Sequence, residues 1–373
     1  NFSYGLFGGP HNGKHIVEQA FLKNAKKYRN AVRNLAGGKS VPVEIILPAG
    51  NNALAQSHAR TMTATRSHKR AKLPINLRIQ PEDHTSSFVE FWLPRDASHT
   101  KINITLPDGS EAKFKLNDLN EPFGQILAVK AKTEIKQRTI VARLKLDCPL
   151  REAKKDGAEN YWRILLSIAP TVLLDSERRP APAGIWRIDI SAKIPKDAYL
   201  SSWIQRDVAV SGASFQARQS YFEDSVYENN RFDNLTDIAV TDRGNTHIKR
   251  NGTTSGIATL STSAKSKIGI TVVGGYKWSN NAGCAYSAAG SNEVKSAQTM
   301  AVADTSRALN GILSIGTLSG SVGSLGGTSV ASPQIARLLA DAIAKIPPDK
   351  RNQYSREQAL ATLGTGPITR PSK

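Results

Sequence analysis

Sulfur is scarce in this chain: two cysteines and two methionines in 373 residues. Cys148 and Cys284 fall in different parts of the sequence, so neither a disulfide framework nor a thiolate metal cluster is indicated. Histidine and carboxylate clusters at metal-ligand spacing are absent as well. No segment approaches the run of about 18 apolar residues that a membrane span needs, and no targeting signal is recognisable. These absences leave a soluble chain of unspecified compartment. Acidic residues are also in deficit, with 31 Asp and Glu against 50 Lys and Arg and a net charge of +19. Such a surface could suit nucleic acid or an acidic partner. Yet no helix-turn-helix, RNA-binding or zinc-finger pattern accompanies the basic stretches at residues 14–39 and 60–78. Solvated helix faces and loops account for them more simply.

What is present is apolar material for about two domains: 39% of the residues are hydrophobic and 22% charged. The most informative string is Gly326-Gly327-Thr328-Ser329-Val330-Ala331-Ser332-Pro333. After it, Ile335, Leu338, Leu339, Ala342 and Ile343 recur at helical spacing and predict a core-anchored helix. Ser329 then sits in the first turn, against the positive end of the dipole. Pro333 suits an early helical position, where a missing N–H does little harm. Alone, Gly-Thr-Ser reads as a helix cap. The longer string points to a nucleophile.

Gly-Thr-Ser-x-Ala-Ser-Pro at the head of an apolar helix resembles the nucleophile motif of subtilisin-like serine peptidases (subtilases). Three further segments, in the family's order, add to the likeness. A buried strand at residues 43–48 ends in Ala49-Gly50-Asn51, similar to the segment that carries the oxyanion-hole asparagine. Asn1-Phe2-Ser3-Tyr4-Gly5, then Gly8-Gly9-Pro10, is similar to the substrate-binding edge strand and its turn. Ile268-Gly269-Ile270-Thr271-Val272-Val273-Gly274-Gly275, with Tyr286-Ser287-Ala288-Ala289-Gly290, resembles the strand and turn shortly before the serine.

The resemblance implies that Ser329 attacks a polypeptide substrate and that Asn51 stabilises the oxyanion. It implies an extended substrate along Ser3, Tyr4 and Gly5, with Leu47, Pro48, Ala49 and Gly50 walling the pocket before the scissile bond. Thr328 is expected to meet the substrate too. Asn51 favours this family over the sedolisins, which place an acidic residue at the oxyanion position. Calcium is common in the family, but no calcium loop is visible, so no cofactor is expected.

A serine hydroxyl is a weak nucleophile until a histidine takes its proton and a carboxylate orients that histidine. The family orders its triad Asp, His, Ser, with the first two ahead of the edge strand and the histidine in a His-Gly-Thr context. No His-Gly pair occurs here, and His11, His15, His58, His68, His84, His99 and His247 all follow the edge segment. The expectation is that an upstream N-terminal part of the same catalytic domain supplies both residues. Without that part the chain would be a catalytically incomplete pseudopeptidase.

About 280 positions separate Asn51 from Ser329, many more than the subtilisin fold requires. Residues 73–79, 88–93, 101–106, 125–129, 139–144, 162–168 and 185–190 alternate or nearly alternate, predicting half-buried strands divided by turns such as Pro107-Asp108-Gly109. The expected fold is α/β: a subtilisin-like parallel sheet flanked by helices and interrupted by an antiparallel β-sandwich of jelly-roll type. Residues 1–71 would form the first part of the catalytic domain, 72–200 the inserted sandwich, and 201–373 the second part with Ser329. Residues 14–35 predict a helix. Residues 201–251 show little periodicity and predict a long ordered loop, in which Arg206, Asp207 and Tyr221 pack and pair.

Overall fold

The computed structural model describes residues 1–5, 8–11, 16–37, 42–62, 64–65, 69–116, 126–131, 139–147, 161–172, 180–207, 217–230, 246–248, 269–288, 299–306 and 311–362. After an irregular start come α1 (Ile16–Leu35), β1 (Glu44–Pro48), β2 (His58–Arg60), β3 (Lys69–Ile79), β4 (Ser87–Pro94), β5 (Ser98–Thr105) and β6 (Glu111–Lys115). Then follow β7 (Ile126–Ala131), β8 (Thr139–Asp147), β9 (Tyr161–Ile168), β10 (Gly184–Ile194), β11 (Ser201–Ile204), β12 (Tyr221–Glu223) and α2 (Ser225–Asn230). The last elements are β13 (Gly269–Lys277), β14 (Thr299–Asp304), β15 (Ile312–Ile315), β16 (Val322–Leu325), α3 (Thr328–Ala344) and α4 (Arg356–Thr362).

Ile45-Ile46-Leu47 is a continuous apolar run, as a strand covered on both faces should be. In the parallel sheet of order β1-β13-β14 it lies beside β13, with Ile46 opposite Thr271 and Leu47 opposite Val272. Ile46 and Val273 face Ile335 and Leu339 of α3, while Leu47, Ile270 and Val272 face Phe21 and Ala25 of α1. Helices thus cover both faces of the sheet, and each large apolar side chain so buried contributes about 1.5–3 kcal/mol. The helix expected over residues 14–35 is α1, and the strand expected over 43–48 is β1. Among the described residues, the outer edge of β1 accepts one bond, from the Phe2 N–H to the Ile46 carbonyl at 3.0 Å. Pro48, two residues on, turns its missing N–H to that same edge, the side of a strand where proline is tolerated.

Two antiparallel sheets, in the orders β12-β3-β10-β5-β6 and β2-β11-β4-β9-β8-β7, share one core. Leu73, Leu77, Ile188 and Ile190 come from the first sheet, and Val89, Phe91, Leu93 and Leu166 from the second. The alternating residues that predict strands lie in β3, β4, β5, β7, β8, β9 and β10. Strands on either side of residues 72–200 also join the sheets, since β2 pairs with β11 and β12 with β3. The loop expected over residues 201–251 needs correction: its described part contains β11, β12 and α2. All four residues of β11 are buried, so no alternation marks it as a strand.

The antiparallel body grips the segment that follows Gly5. Glu90 of β4, nearly fully buried, accepts the Gly9 N–H at 2.7 Å and the Trp92 indole N–H at 2.9 Å. Beside it the His11 ring stacks on Trp203 of β11 with centroids 3.5 Å apart, and His58 stacks on Trp203 at 3.7 Å. The fold is therefore mixed α/β, with a small parallel sheet, larger antiparallel sheets and few helices among the described residues.

Candidate active site

Parallel strands end on the same edge of their sheet, and in α/β folds ligands collect outside those carboxyl ends. Ala49-Gly50-Asn51 leaves β1 at that edge, and Gly326-Gly327 leads from β16 into α3. The two turns are bonded together. The Thr328 N–H and the Thr328 hydroxyl both donate to Asn51 Oδ1 at 2.8 Å, and the Gly50 N–H donates to Thr328 Oγ1 at 3.1 Å. A backbone N–H can only donate, so the carboxamide atom facing it is oxygen. Asn51 Nδ2 is left without a partner among the described residues. Gly327, the helix N-cap, has φ 117°, and a Cβ there would lie 2.7 Å from Asn51 Nδ2. Only glycine combines that left-handed backbone with so close an approach.

Ser329 is the second residue of α3 and half-buried. Its hydroxyl has no hydrogen-bond partner among the described residues. Its carbonyl would ordinarily accept the N–H four residues on, but that residue is Pro333. The proline therefore stands more than a turn inside the helix, not at an early position, and the carbonyl it orphans belongs to the serine. Ser3 fills the gap: its hydroxyl donates to the Ser329 carbonyl at 3.1 Å and accepts from Asn1 Nδ2 at 2.9 Å. Ser3, Asn51, Thr328 and Ser329, distant in sequence, form one bonded group.

The other expected substrate contacts are placed differently. Asn1–Gly5 forms no ladder, and the Phe2 bond to Ile46 is its tie to β1. Tyr4 is 60% exposed and packs edge-on to Phe2. Leu47 and Ala49 are fully buried in the core beside α1, Pro48 is buried, and Gly50 is half-buried. Side chains at 47 and 49 therefore shape the site from beneath. No histidine is bonded to Ser329 among the described residues: His11 and His58 stack on Trp203, and His247 Nδ1 lies 3.3 Å from the Arg60 carbonyl. His15 and His68 fall outside the described residues, as do Ala289 and Gly290.

Sequence reasoning missed a buried carboxylate behind the turn. Asp304, the last residue of β14, accepts the Tyr286 hydroxyl at 2.6 Å, the Cys284 thiol at 3.4 Å and the Gly311 N–H at 2.7 Å. Burial, reinforced by the bond to Asp304, pushes the Tyr286 phenol above its ordinary range, and burial pushes the Cys284 thiol up to about 11. Both groups therefore keep their protons near neutrality, and Cys284 is a donor here, not a nucleophile. The one signal in the sequence is a carboxylate closing the apolar run Met300-Ala301-Val302-Ala303. Asp207, in the antiparallel body, is pushed up to about 6 by burial even though the Ser220 N–H donates to it at 3.0 Å. A cavity of about 380 Å³ is also in that body, lined by Asn76, Arg187, Asp189, Asp224 and His247. It includes neither Asn51 nor Ser329. Among the described residues no three His, Cys, Asp or Glu side chains gather as a metal site needs.

No family model matches the chain, and no curated protein matches it. Among solved structures the chain is similar to the CspB protease of Clostridium perfringens, with a TM-score of 0.56 and 16% identity. The match covers 91% of this chain and 53% of that one, so the chain spans about half the length of its neighbour. At that identity the likeness is one of fold.

Proposed function

We propose that the chain carries the nucleophile and oxyanion donor of a subtilisin-like serine endopeptidase, on a parallel sheet interrupted by a jelly-roll-like antiparallel domain. The observation that carries this reading is the bonding of Asn51 to Thr328: with Oδ1 held by two donors, Nδ2 is left beside Gly327, two residues before Ser329. Ser329 Oγ attacks the carbonyl carbon of the scissile peptide, and its proton passes to a histidine base. The developing oxyanion takes hydrogen bonds from Asn51 Nδ2 and the Ser329 backbone N–H at the positive end of α3. The C–N bond then breaks, the amine leaves with the proton, and water releases the acyl group from Ser329. The substrate main chain runs along Ser3, Tyr4 and Gly5 as an added strand. No described histidine is bonded to Ser329, and we assign the base and its orienting carboxylate to an upstream segment, as the family's Asp, His, Ser order implies. No calcium or other metal is assigned a role. The protease identity of the structural neighbour supports the hydrolase reading, and the order of the four sequence segments supports the subtype.

The test is covalent labelling by a fluorophosphonate in protein that carries this outside segment. Wild type should label and Ser329→Ala should not, with unchanged circular dichroism, because alanine fits the helix start and offers no nucleophile. Labelling that survives Ser329→Ala would remove the assignment.

A further inference from the structure

The turns that meet at Ser329 are joined a second time, one layer below, by a carboxylate that the acyl transfer does not use. Asp304 is 5% exposed. Its Oδ1 accepts the Gly311 N–H at 2.7 Å, and a Cβ on Gly326 would come within 2.7 Å of the same oxygen. The turn entering α3 thus rests directly on the carboxylate, and the next residue, Gly327, donates its N–H to the Ala303 carbonyl at 3.2 Å. Oδ2 faces the other way, toward the Tyr286 hydroxyl and the Cys284 thiol. Tyr286 belongs to the segment that carries the Asn51 loop: its carbonyl accepts the Ala53 N–H at 3.1 Å, and the Ala288 N–H donates to the Gly50 carbonyl at 3.0 Å. One oxygen of Asp304 serves the Ser329 side and the other serves the Asn51 side.

We propose that Asp304 is a positioning residue that fixes the Asn51 loop against the Ser329 turn, with Tyr286 as its arm to the loop. The catalytic consequence rests on the serine-peptidase reading, whereas the coupling of the two turns is a property of the fold. All three neighbours donate, and burial keeps the phenol and thiol protonated, so an acceptor-only carboxylate matches the site. Asparagine would match it incompletely. Its oxygen would face the Gly311 N–H, which can only donate, and its amide would face the Tyr286 hydroxyl, which can turn round and accept. Asp304→Asn therefore keeps the Ser329 side and reverses the Asn51 side.

Hydrogen exchange of the full chain, read by mass spectrometry, tests the coupling without needing activity. Asp304→Ala should speed exchange at residues 50–53 and at residues 326–329 by about ten- to a hundredfold, as expected for losing a charge-assisted hydrogen bond. Tyr286→Phe keeps the ring and should speed exchange at 50–53 alone, while β3 and β10 stay protected in both variants. Faster exchange at 326–329 only would overturn the proposal, since Asp304 would then merely brace the stem of the β15–β16 hairpin. Equal acceleration in β3 and β10 would also overturn it, as a general loss of stability. Should Asp304→Ala fail to fold, Tyr286→Phe decides: unchanged exchange at 50–53 sinks the idea. In labelling-competent protein, Asp304→Asn should lower kcat per fluorophosphonate-titrated serine with KM unchanged, a normalisation that removes the loss of active protein that unfolding would cause. Wild type that never labels would remove the peptidase reading, and the exchange pattern would still decide the coupling.

Discussion

Asn51 is held by its oxygen, and that fact decides what its substitution should do. Replacing it by alanine removes the Nδ2 donor at the turn that leads into Ser329, so in labelling-competent protein kcat should fall by about 10²- to 10³-fold with little change in KM. An unchanged kcat would place the oxyanion donor elsewhere. Thr328→Val should act more weakly on kcat, because the Thr328 backbone N–H still holds Oδ1 at 2.8 Å. Its cost should appear in stability instead. Valine leaves the part-buried Gly50 N–H without its acceptor, and such an unmet donor costs about 1–3 kcal/mol. A urea melt in which Thr328→Val equals wild type would argue against this bond. At this scale the sequence was legible where a motif is contiguous: Gly326 to Pro333 marked the head of α3, and Ala49-Gly50-Asn51 marked the turn that bonds to it. It was illegible where bonds join distant segments. Nothing local says that Ser3 replaces the donor that Pro333 lacks, or that Asp304 faces Tyr286.

Strands were readable where one face is buried and the other is wet. β3 runs exposed and buried by turns from Lys69 to Ile79, as does β10 over most of its length, and periodicity located both. β11 escaped because both its faces are covered, and β12 because it has only three residues. β6, Glu111-Ala112-Lys113-Phe114-Lys115, does alternate, but its inward residues are only half-buried and its outward ones are charged. That outward row has a physical cost. Lys115 lies directly opposite Lys101 in the β5–β6 register, while Lys113 is paired with Glu111 at 2.8 Å. Like charges facing across antiparallel strands destabilise the pair, and opposite ones contribute about 0.2–1 kcal/mol. Lys115→Glu should therefore stabilise the protein by up to about 1 kcal/mol at low salt, and the gain should shrink as salt screens it. A thermal melt unchanged at low ionic strength would show that the two ammonium groups already point apart.

Across the whole molecule, α3, the Asn51 turn and the antiparallel body fit together without any described histidine bonded to Ser329. Two of the described histidines are used elsewhere. His11 and His58 enclose Trp203, which with the Glu90 to Gly9 bond fastens the start of the chain to the antiparallel sheets. Their rings are buried and committed to that stack, so neither is placed to serve as a base. The 373 residues assayed alone should therefore hydrolyse no peptide, because removing the histidine of such a triad costs about 10⁶ in kcat. Activity should return when a segment bearing an aspartate and a histidine is joined ahead of Asn1, and should again vanish with Ser329→Ala. The decisive comparison is a peptide library incubated with the chain alone, with the extended chain, and with the Ser329→Ala form of each. Cleavage by the chain alone that depends on Ser329 would mean that one of its own histidines reaches the serine. His15 and His68, which lie outside the described residues, would then be the first positions to substitute.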